Sequence, residues 1–298
     1  MQGWPLWKKI QVAQAKIIEW YFRFDGHVSI SVSGGKDSLV LLDIARRCFP
    51  DIKAVYVNTG LDFPEVRSFA MAIPNVTVIK PELRFDEVIR TYGWCYPSKD
   101  VAHTIYYAKK GSPWATERMQ GVNPDGSPSK YRQSHYMKWS YLLDAPFIIS
   151  AKCCEIMKEK PLERYRKSSG NQPIVGTLAA ESQRRRQAWY QTGCNNFESK
   201  KPLSKPLSIW KETDILQYIN NYNIQIPSVY GEIVLTKNGY LTTTKEKRTG
   251  CIWCPVGCHR DKVNRFQRLA QTHPKLHLYC MDELGLGTFL DYLNIKKK

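Results

Sequence analysis

The 298-residue sequence lacks long apolar runs, and acidic residues are scarce for its number of basic ones. No stretch approaches the roughly 18 consecutive apolar residues that a membrane-spanning helix needs. The first 20 residues carry lysines among their apolar positions, which is not the composition of a secretory signal. They predict an amphipathic helix instead. We therefore expect a cytoplasmic protein without a membrane partner.

The shortage of acidic residues leaves a formal charge of +17, from 44 Lys and Arg against 27 Asp and Glu. Such an excess indicates an anionic partner, either a multiply charged nucleotide or a nucleic acid backbone. An ordinary basic surface would give the same total. Charge alone leaves these alternatives open.

The nine cysteines do not suggest a disulfide scaffold, because their number is odd and a cytosolic chain keeps its thiols reduced. Their distribution is more informative. Cys48, Cys95 and Cys280 stand alone, whereas the others fall into groups that indicate a metal. The grouped cysteines are Cys153, Cys154, Cys194, Cys251, Cys254 and Cys258.

Apolar strand-like and helix-like segments alternate along much of the chain, which predicts βαβ units and a parallel sheet. We expect an α/β fold with a doubly wound, mostly parallel sheet, preceded by an N-terminal helix and followed by a Cys-rich C-terminal segment. The predicted strands are 27–32, 52–58, 76–81 and 172–179. The predicted helices after the N-terminal one are 37–49, 64–73, 85–93 and 208–223.

Residues 91–140 interrupt the alternation with a segment rich in aromatic and basic side chains. Arg132 and Lys138 are candidates for contacts with phosphates, because aromatic rings between cations suit bases stacked in a basic groove. A structural insertion packed on the sheet is the alternative. We expect one nucleotide-binding domain at 1–228, including this insertion, and a Cys-rich segment at 229–298.

The stretch "SVSGGKDS", residues 31–38, follows a strand and opens a helix, but it does not meet the pattern Gly-x-x-x-x-Gly-Lys-Ser/Thr. Ile30 stands where that pattern requires glycine, and Asp37 follows Lys36. Backbone amides at a helix N-terminus favour anions, and glycines let the backbone approach a phosphate. Asp37 could hold Mg²⁺ beside the phosphates.

The loop resembles the Ser-x-Gly-Gly-x-Asp-Ser pyrophosphate loop of the ATP-pyrophosphatase (adenine nucleotide α-hydrolase) superfamily. "NTGLDFPEV", "KCCEIMKEKPLERY", "KPLSIWKETDILQYI" and "TGCIWCP" resemble segments of its phosphoadenylyl-sulfate (PAPS) reductase family, in the same order. The resemblance implies an adenine nucleotide α-hydrolase-like fold and cleavage of ATP between the α- and β-phosphates. It implies Asp37 and Lys36 as catalytic residues. The implied nucleotide-binding residues are Ser33, Gly34, Gly35, Lys36, Asp37, Ser38, Thr59, Gly60 and Gly176.

The cysteine pattern resembles the four-thiolate [4Fe–4S] site of iron–sulfur adenylyl-sulfate reductases. That resemblance implies Cys153, Cys154, Cys251 and Cys254 as ligands. Thiolates are the soft ligands that such clusters need. A Cys₄ zinc site is the rival, and Cys194 and Cys258 are in reserve as ligands.

The chain departs from the reductases at two places. It has no Glu-Cys-Gly-Leu-His-like segment to supply their nucleophilic cysteine, and Thr177 stands where they place an arginine. Arg184 and Arg186 come later and are candidates for binding a phosphate, or they lie on a solvated helix face. Without the nucleophile, reduction of a sulfonucleotide is hard to perform, because a thiolate must attack sulfur.

We therefore expect an ATP pyrophosphatase that adenylates a nucleic acid for sulfur transfer. The chain is similar in kind to the ATP-pyrophosphatase components of DNA phosphorothioation and to phage-borne PAPS-reductase-like proteins. The implied partners are ATP or a related adenine nucleotide, and a sulfur donor such as a cysteine desulfurase. The alternatives are an adenylyl-sulfate or PAPS reductase using Cys194, Cys258 or Cys280, and a regulatory protein that senses nucleotides without turnover.

Overall fold

A computed structural model describes residues 1–298 and contains one six-stranded sheet and one two-stranded hairpin. The large sheet has the order β3-β2-β1-β4-β6-β5, and only its β5–β6 edge pair is antiparallel. The strands are β1 (Val28–Val32), β2 (Lys53–Val57), β3 (Val76–Ile79), β4 (Gln172–Val175), β5 (Asn195–Asn196), β6 (Leu203–Ser204), β7 (Ile233–Leu235) and β8 (Leu241–Thr243).

Thirteen α-helices accompany the strands. They are α1 (Leu6–Arg23), α2 (Lys36–Cys48), α3 (Pro64–Met71), α4 (Phe85–Tyr92), α5 (Lys99–Ala108), α6 (Pro113–Gln120), α7 (Lys152–Cys154), α8 (Lys160–Ser169), α9 (Gln183–Thr192), α10 (Glu212–Asn221), α11 (Arg265–Thr272), α12 (Pro274–Leu278) and α13 (Leu286–Tyr292). The mostly parallel sheet flanked by helices confirms the predicted α/β fold class, and β1 to β4 lie within the four predicted strands.

The chain forms two compact units. Unit 1 comprises residues 1–80 and 161–250, and unit 2 comprises residues 81–160 and 251–298. The chain therefore passes between the units at three places, whereas the sequence suggested a single division near residue 228. No linker composition marks these passages, so sequence inspection had no signal for them.

Unit 1 is organised around β1, which is the third strand of the sheet and pairs in parallel with β2 and β4. Ile30 in β1, Trp20 in α1, Leu41 in α2 and Ile215 in α10 belong to one buried cluster. Burying an aliphatic side chain of this size contributes about 1.5–3 kcal/mol, so this cluster fixes the three helices on the sheet.

Unit 2 is mainly helical and has an aromatic core. The ring of Phe289 in α13 lies 6.2 Å from the ring of Trp94 and 6.1 Å from that of Tyr96, measured between centroids. The aperiodic segment 91–140 belongs to this unit, and it contains α5 and α6. None of the helices of the chain is both long enough and apolar enough to cross a membrane.

Candidate functional site: a phosphate loop and a cysteine group

Parallel strands bring three predicted nucleotide-binding segments to one edge of the sheet in unit 1. The loop Ser33–Ser38 follows β1, Thr59 and Gly60 follow β2, and Gly176 follows β4. Ligands of open α/β sheets bind at the carboxyl ends of the strands. The sheet therefore places the predicted nucleotide-binding residues at the edge where that chemistry is expected.

The loop that follows β1 is held in shape by its own serines. The Ser33 amide donates to Ser38 Oγ at 3.1 Å, and the Ser38 hydroxyl donates to the Gly35 carbonyl at 2.8 Å. Asp37 lies in the first turn of α2, where the helix dipole favours a carboxylate. Arg46 and Arg47 lie in the last turn, where it favours cations. The sequence therefore supports a helix that begins at Lys36.

Two glycines are required by close contacts at this loop. Gly34 has φ +71°, and a Cβ on it would lie 2.7 Å from Val66 Cγ1. A Cβ on Gly176 would lie 2.9 Å from the Asp37 carbonyl oxygen. Since real Cβ atoms do not approach so closely, both positions need glycine to keep the start of α2 against α3 and the end of β4.

Lys36 does not extend into solvent. Its side chain is 4% exposed, and its ammonium pairs with Glu212 Oε1 at 3.0 Å and donates to the Lys247 carbonyl at 2.5 Å. Its backbone amide donates to Tyr230 Oη at 3.1 Å. The cation predicted to meet the phosphates is therefore fixed by two later parts of unit 1.

Asp37 has a carboxylate oxygen that lacks a hydrogen-bond partner. Its Oδ1 atom is buried and has no hydrogen-bond partner. Burial raises the pKa of this carboxyl, while Lys36 lowers it and Glu212 raises it. A buried carboxylate oxygen without a partner is costly, and a bound cation would satisfy it.

A cavity of ≈ 130 Å³ adjoins the loop. It is lined by Lys36, Asp37, Leu178, Ala180, Glu181, Glu212 and Arg248. Arg248 Nη1 lies 3.4 Å from Glu181 Oε1, and Arg185 also pairs with Glu181. Burial lowers the pKa of Arg185, and the nearby positive charge of Arg248 lowers it further.

Sequence inspection missed three charged residues of this cavity and one residue that contacts the loop. Glu181, Glu212 and Arg248 line the cavity, and Tyr230 accepts from the Lys36 amide. They come from separate segments, and none belongs to a contiguous motif that indicates a phosphate site. One signal was present in α9, where basic residues occupy the first turn and no acidic residue does. That placement opposes the helix dipole, so it indicates a use other than stability.

The other predicted contacts differ in burial, since Thr59 is buried whereas Arg184 and Arg186 are exposed. Thr59 Oγ1 accepts from the Leu61 amide at 3.1 Å, so this hydroxyl shapes the turn after β2. Arg184 and Arg186 are exposed on α9, a helix without a single buried residue.

The remaining two phosphate candidates belong to unit 2. Arg132 is exposed, and Lys138 lies over the Trp139 ring at 5.3 Å. The surrounding aromatic side chains already hold cations, since the Arg118 guanidinium lies 5.2 Å from the Trp114 ring centroid.

The four predicted ligand cysteines all belong to unit 2. Cys153 and Cys154 form α7 with Lys152, and the next turn, Glu155–Glu159, is a π-helix, which often marks a functional site. Cys251 and Cys254 belong to one turn, closed by a 3.1 Å bond from the Cys254 amide to the Cys251 carbonyl.

Hydrogen bonds and charges of these cysteines and their neighbours shift the pKa values of the thiols. A hydrogen bond from Cys153 and the ammonium of Lys99 lower the pKa of Cys154 to about 6, although burial opposes the shift. Burial and the charges of Cys251 and Cys154 raise the pKa of Cys254 to about 11, against Arg265, which lowers it. No group of three or more His, Cys, Asp or Glu side chains is arranged to hold a metal ion.

The two reserve cysteines differ. Cys258 lies in unit 2, where burial raises its pKa to about 12 and the charge of Cys254 adds to the shift. Cys194 lies in unit 1 beside Trp189 and Ser208, and burial raises its pKa. The donor set of unit 2 thus has the soft ligands that an iron–sulfur cluster needs, without an arranged metal site.

Comparison with known proteins identifies the family. The model of the phosphoadenosine phosphosulfate reductase domain matches residues 27–109 and, in an overlapping match, residues 79–260. An uncharacterized protein of Methanocaldococcus jannaschii is 23% identical over 283 residues, which are 93% of this chain and 53% of that protein. The chain thus spans about half the length of that relative. An adenosine 5′-phosphosulfate reductase of Staphylococcus haemolyticus is 24% identical over 272 residues, which are 88% of this chain and 86% of that enzyme.

Two solved structures are similar at low identity. A PAPS reductase of Candida auris in complex with phosphate has a TM-score of 0.41 and 16% identity, covering 80% of this chain and 90% of that one. An FMN adenylyltransferase of Candida glabrata in complex with ATP has a TM-score of 0.42 and 11% identity, covering 76% and 58%.

Proposed function

Because the chain belongs to the phosphoadenosine phosphosulfate reductase family, whose members act on adenine nucleotides, we propose that it is an ATP pyrophosphatase. In this proposal the loop Ser33–Ser38 binds the phosphates of ATP, and AMP is transferred to an acceptor with release of pyrophosphate. The observation that carries the proposal is the buried Oδ1 of Asp37, which faces no hydrogen-bond partner beside Lys36 in the cavity.

The chemical step follows from this arrangement. An oxygen of the acceptor attacks the α-phosphorus, the bond from that phosphorus to the oxygen shared with the β-phosphate breaks, and pyrophosphate leaves. The N-terminus of α2 and the Lys36 ammonium stabilise the charge that develops on the leaving group. Asp37 would hold Mg²⁺, which would neutralise further charge on the pyrophosphate.

Reduction of adenylyl sulfate or PAPS is the second candidate, and the adenosine 5′-phosphosulfate reductase among the relatives favours it. Such a reductase needs a thiolate nucleophile. Cys194, Cys258 and Cys280 are all buried, and burial raises the pKa of each thiol, to about 12 for the last two. Because burial disfavours the thiolate form of these three cysteines, the proposal of ATP cleavage is preferred.

A nucleic acid is the proposed acceptor. The charge of +17 supports it, as do the exposed Arg184 and Arg186 of α9, close along the chain to Glu181 of the cavity. Arg132 and Lys138, among the aromatic side chains of unit 2, are the other proposed phosphate contacts. Binding through several phosphates would weaken steeply with salt, with a slope of log K against log [salt] of about −0.7 per contact for a single strand.

An iron–sulfur cluster is a further part of the proposal. Cys153, Cys154, Cys251 and Cys254 would hold it, and zinc is the rival metal. The support is their common unit and mutual electrostatic influence. A cluster would cross-link α7 to the Cys251–Cys254 turn. The sulfur of a donor protein, such as one charged by a cysteine desulfurase, would then attack the adenylated acceptor and displace AMP.

The proposal is tested with anaerobically purified protein and two sets of reactants. The first set is ATP and Mg²⁺ with or without DNA or tRNA, with AMP and pyrophosphate as products. The second is adenylyl sulfate or PAPS with a thiol reductant, with sulfite as product. We expect nucleic-acid-stimulated release of pyrophosphate and no sulfite. Sulfite alone would establish the reductase, and saturable nucleotide binding without any product would indicate a nucleotide sensor.

A further inference from the structure

An irregular segment of unit 1, residues 244–250, follows β8 and contacts the loop Ser33–Ser38; we call it the strap. The Lys245 amide donates to the Tyr230 carbonyl at 3.1 Å, and the Glu246 amide donates to the Val229 carbonyl at 3.1 Å. Thr249 Oγ1 shares a 2.8 Å hydrogen bond with Tyr230 Oη. The strap is therefore fixed along its length to the turn that contains Tyr230.

The strap contacts the loop at Lys36 and at Gly35. Its Lys247 carbonyl accepts from the Lys36 ammonium at 2.5 Å. A Cβ on Gly35 would lie 3.3 Å from Tyr230 Oη and 3.4 Å from Thr249 Oγ1, so these two hydroxyls converge on the bare backbone of the loop. Arg248, between the two contacting residues, is thereby directed to the cavity that Lys36 and Asp37 line.

Carboxylates of the chain neutralise both cations of this cavity. Glu212 pairs with Lys36 at 3.0 Å, and Glu181 pairs with Arg248 at 3.4 Å. The Arg248 side chain is 61% exposed, whereas that of Glu181 is only 16% exposed. Because Arg185 also pairs with Glu181, Arg248 can leave this carboxylate without stranding a buried charge.

The cavity is too small for a whole nucleotide. Its ≈ 130 Å³ is below the roughly 300–1,000 Å³ of pockets that bury a small molecule. The space beside Lys36, Asp37 and Arg248 suits a phosphate group, and the rest of a nucleotide would lie outside it. A phosphate in this space would contact the exposed side chain of Arg248 and the buried side chain of Lys36.

We propose that Arg248 is a phosphate-binding residue of this site and that Glu181 is its partner only until phosphate binds. This inference rests on the proposed function, since it assigns a further residue to the same nucleotide site. Arginine suits the role because its planar guanidinium binds two phosphate oxygens at once. Phosphate binding exchanges the Arg248–Glu181 ion pair for an Arg248–phosphate pair, and Arg185 retains Glu181.

The test measures equilibrium binding by calorimetry, with inorganic pyrophosphate, ATP and adenosine as separate probes. Arg248→Ala should weaken binding of pyrophosphate and ATP roughly 10- to 100-fold, the loss expected for a charge-assisted contact, and leave adenosine binding unchanged. Arg248→Lys should recover part of the loss. Glu181→Gln should tighten pyrophosphate binding several-fold, because it removes the competing carboxylate.

Lys237→Ala is the matched control, because it removes an exposed positive charge from the β7–β8 hairpin and changes the net charge equally. Pyrophosphate binding that is the same in wild type and Arg248→Ala would overturn the role of Arg248. If Glu181→Gln leaves pyrophosphate binding unchanged or weakens it, Arg248 does not exchange Glu181 for phosphate. The readout is binding without turnover, so a protein that binds pyrophosphate through Arg248 but releases none from ATP would refute the proposed function alone.

Discussion

The phosphate loop of unit 1 and the cysteine group of unit 2 are built in different ways. Six consecutive residues form the loop, and its shape is fixed by hydrogen bonds between Ser33, Gly35 and Ser38. The cysteine group consists of two cysteines of α7 and two of a turn about 100 residues later, and its members interact through the Cys153–Cys154 hydrogen bond and through charge. Hydrogen bonds within the chain are enough to shape the loop. The cysteine group has side chains that can bind a metal, but they are not arranged to hold one.

This difference has consequences for function. The loop by itself presents an anion-binding backbone and a carboxylate oxygen without a hydrogen-bond partner. Four thiols repel one another once they are ionised, so their ionised form needs a cation. We therefore expect substitutions in the loop to change turnover, and substitutions of the cysteines to change metal content and stability.

The largest expected effect is on the loop. Asp37→Asn should lower pyrophosphate release from ATP by roughly 10²- to 10³-fold or more, because the neutral amide binds more weakly than the carboxylate the Mg²⁺ that would stabilise the leaving group. The fold should survive, since the change removes a carboxylate whose ionised form burial disfavours. Release is measured with the enzyme saturated in Mg²⁺ and ATP, with circular dichroism for the fold.

Asp51→Asn is the control for this substitution, because Asp51 is exposed after α2 and lies outside the cavity. Release at the wild-type rate from Asp37→Asn would show that the loop has been assigned the wrong chemistry.

Substitutions in the cysteine group should change metal content and stability. Cys254→Ser should lose most of the iron of anaerobically prepared protein and lower the unfolding temperature, because metal binding contributes to folding free energy. Cys48→Ser, which alters an isolated cysteine of unit 1, should keep both. Iron and zinc are measured by elemental analysis. Equal metal content in the two variants would rule out Cys254 as a ligand.

A buried ion pair connects α1 to α10, the helix whose Glu212 pairs with Lys36 of the loop. Lys9 Nζ in α1 lies 2.6 Å from Asp214 Oδ2 in α10, with side chains 2% and 12% exposed, and α10 also carries Glu212. Lys9→Met should destabilise the protein by about 3–5 kcal/mol, because it leaves a buried carboxylate unpaired. Lys16→Met breaks an exposed pair with Glu19 and should cost only about 0–1 kcal/mol. Denaturant unfolding that gave similar values for both would contradict this account.

The smallest effect is expected at Gly176. Gly176→Ala places a Cβ 2.9 Å from the Asp37 carbonyl and should cost about 1–3 kcal/mol, with weaker nucleotide binding as the start of α2 moves. Gly3→Ala meets nothing within 4 Å and serves as control. Unchanged affinity for ATP in Gly176→Ala would show that the end of β4 does not position the loop.

The same comparison explains what could be predicted from the sequence. Strands β1 to β4 were predictable because each is a contiguous hydrophobic run, and the loop was recognisable because the Ser33–Ser38 motif is contiguous. The short strands β5 to β8 were not predicted, since none has more than three residues. Arg248 and Tyr230 were not, because they meet the loop through contacts between residues about 200 positions apart. The two units were also missed, since no change of composition marks residues 80, 160 and 250.

If the loop holds pyrophosphate as a leaving group, the protein cleaves ATP between the α- and β-phosphates, and the products show which bond breaks. ATP labelled at the α-phosphate is incubated anaerobically with Mg²⁺, the protein and nucleic acid, and the labelled products are separated. The account predicts labelled AMP, free or attached to the acceptor, and an equal amount of unlabelled pyrophosphate, both abolished in Asp37→Asn. Labelled ADP with inorganic phosphate would contradict it, because the loop would then act on the γ-phosphate.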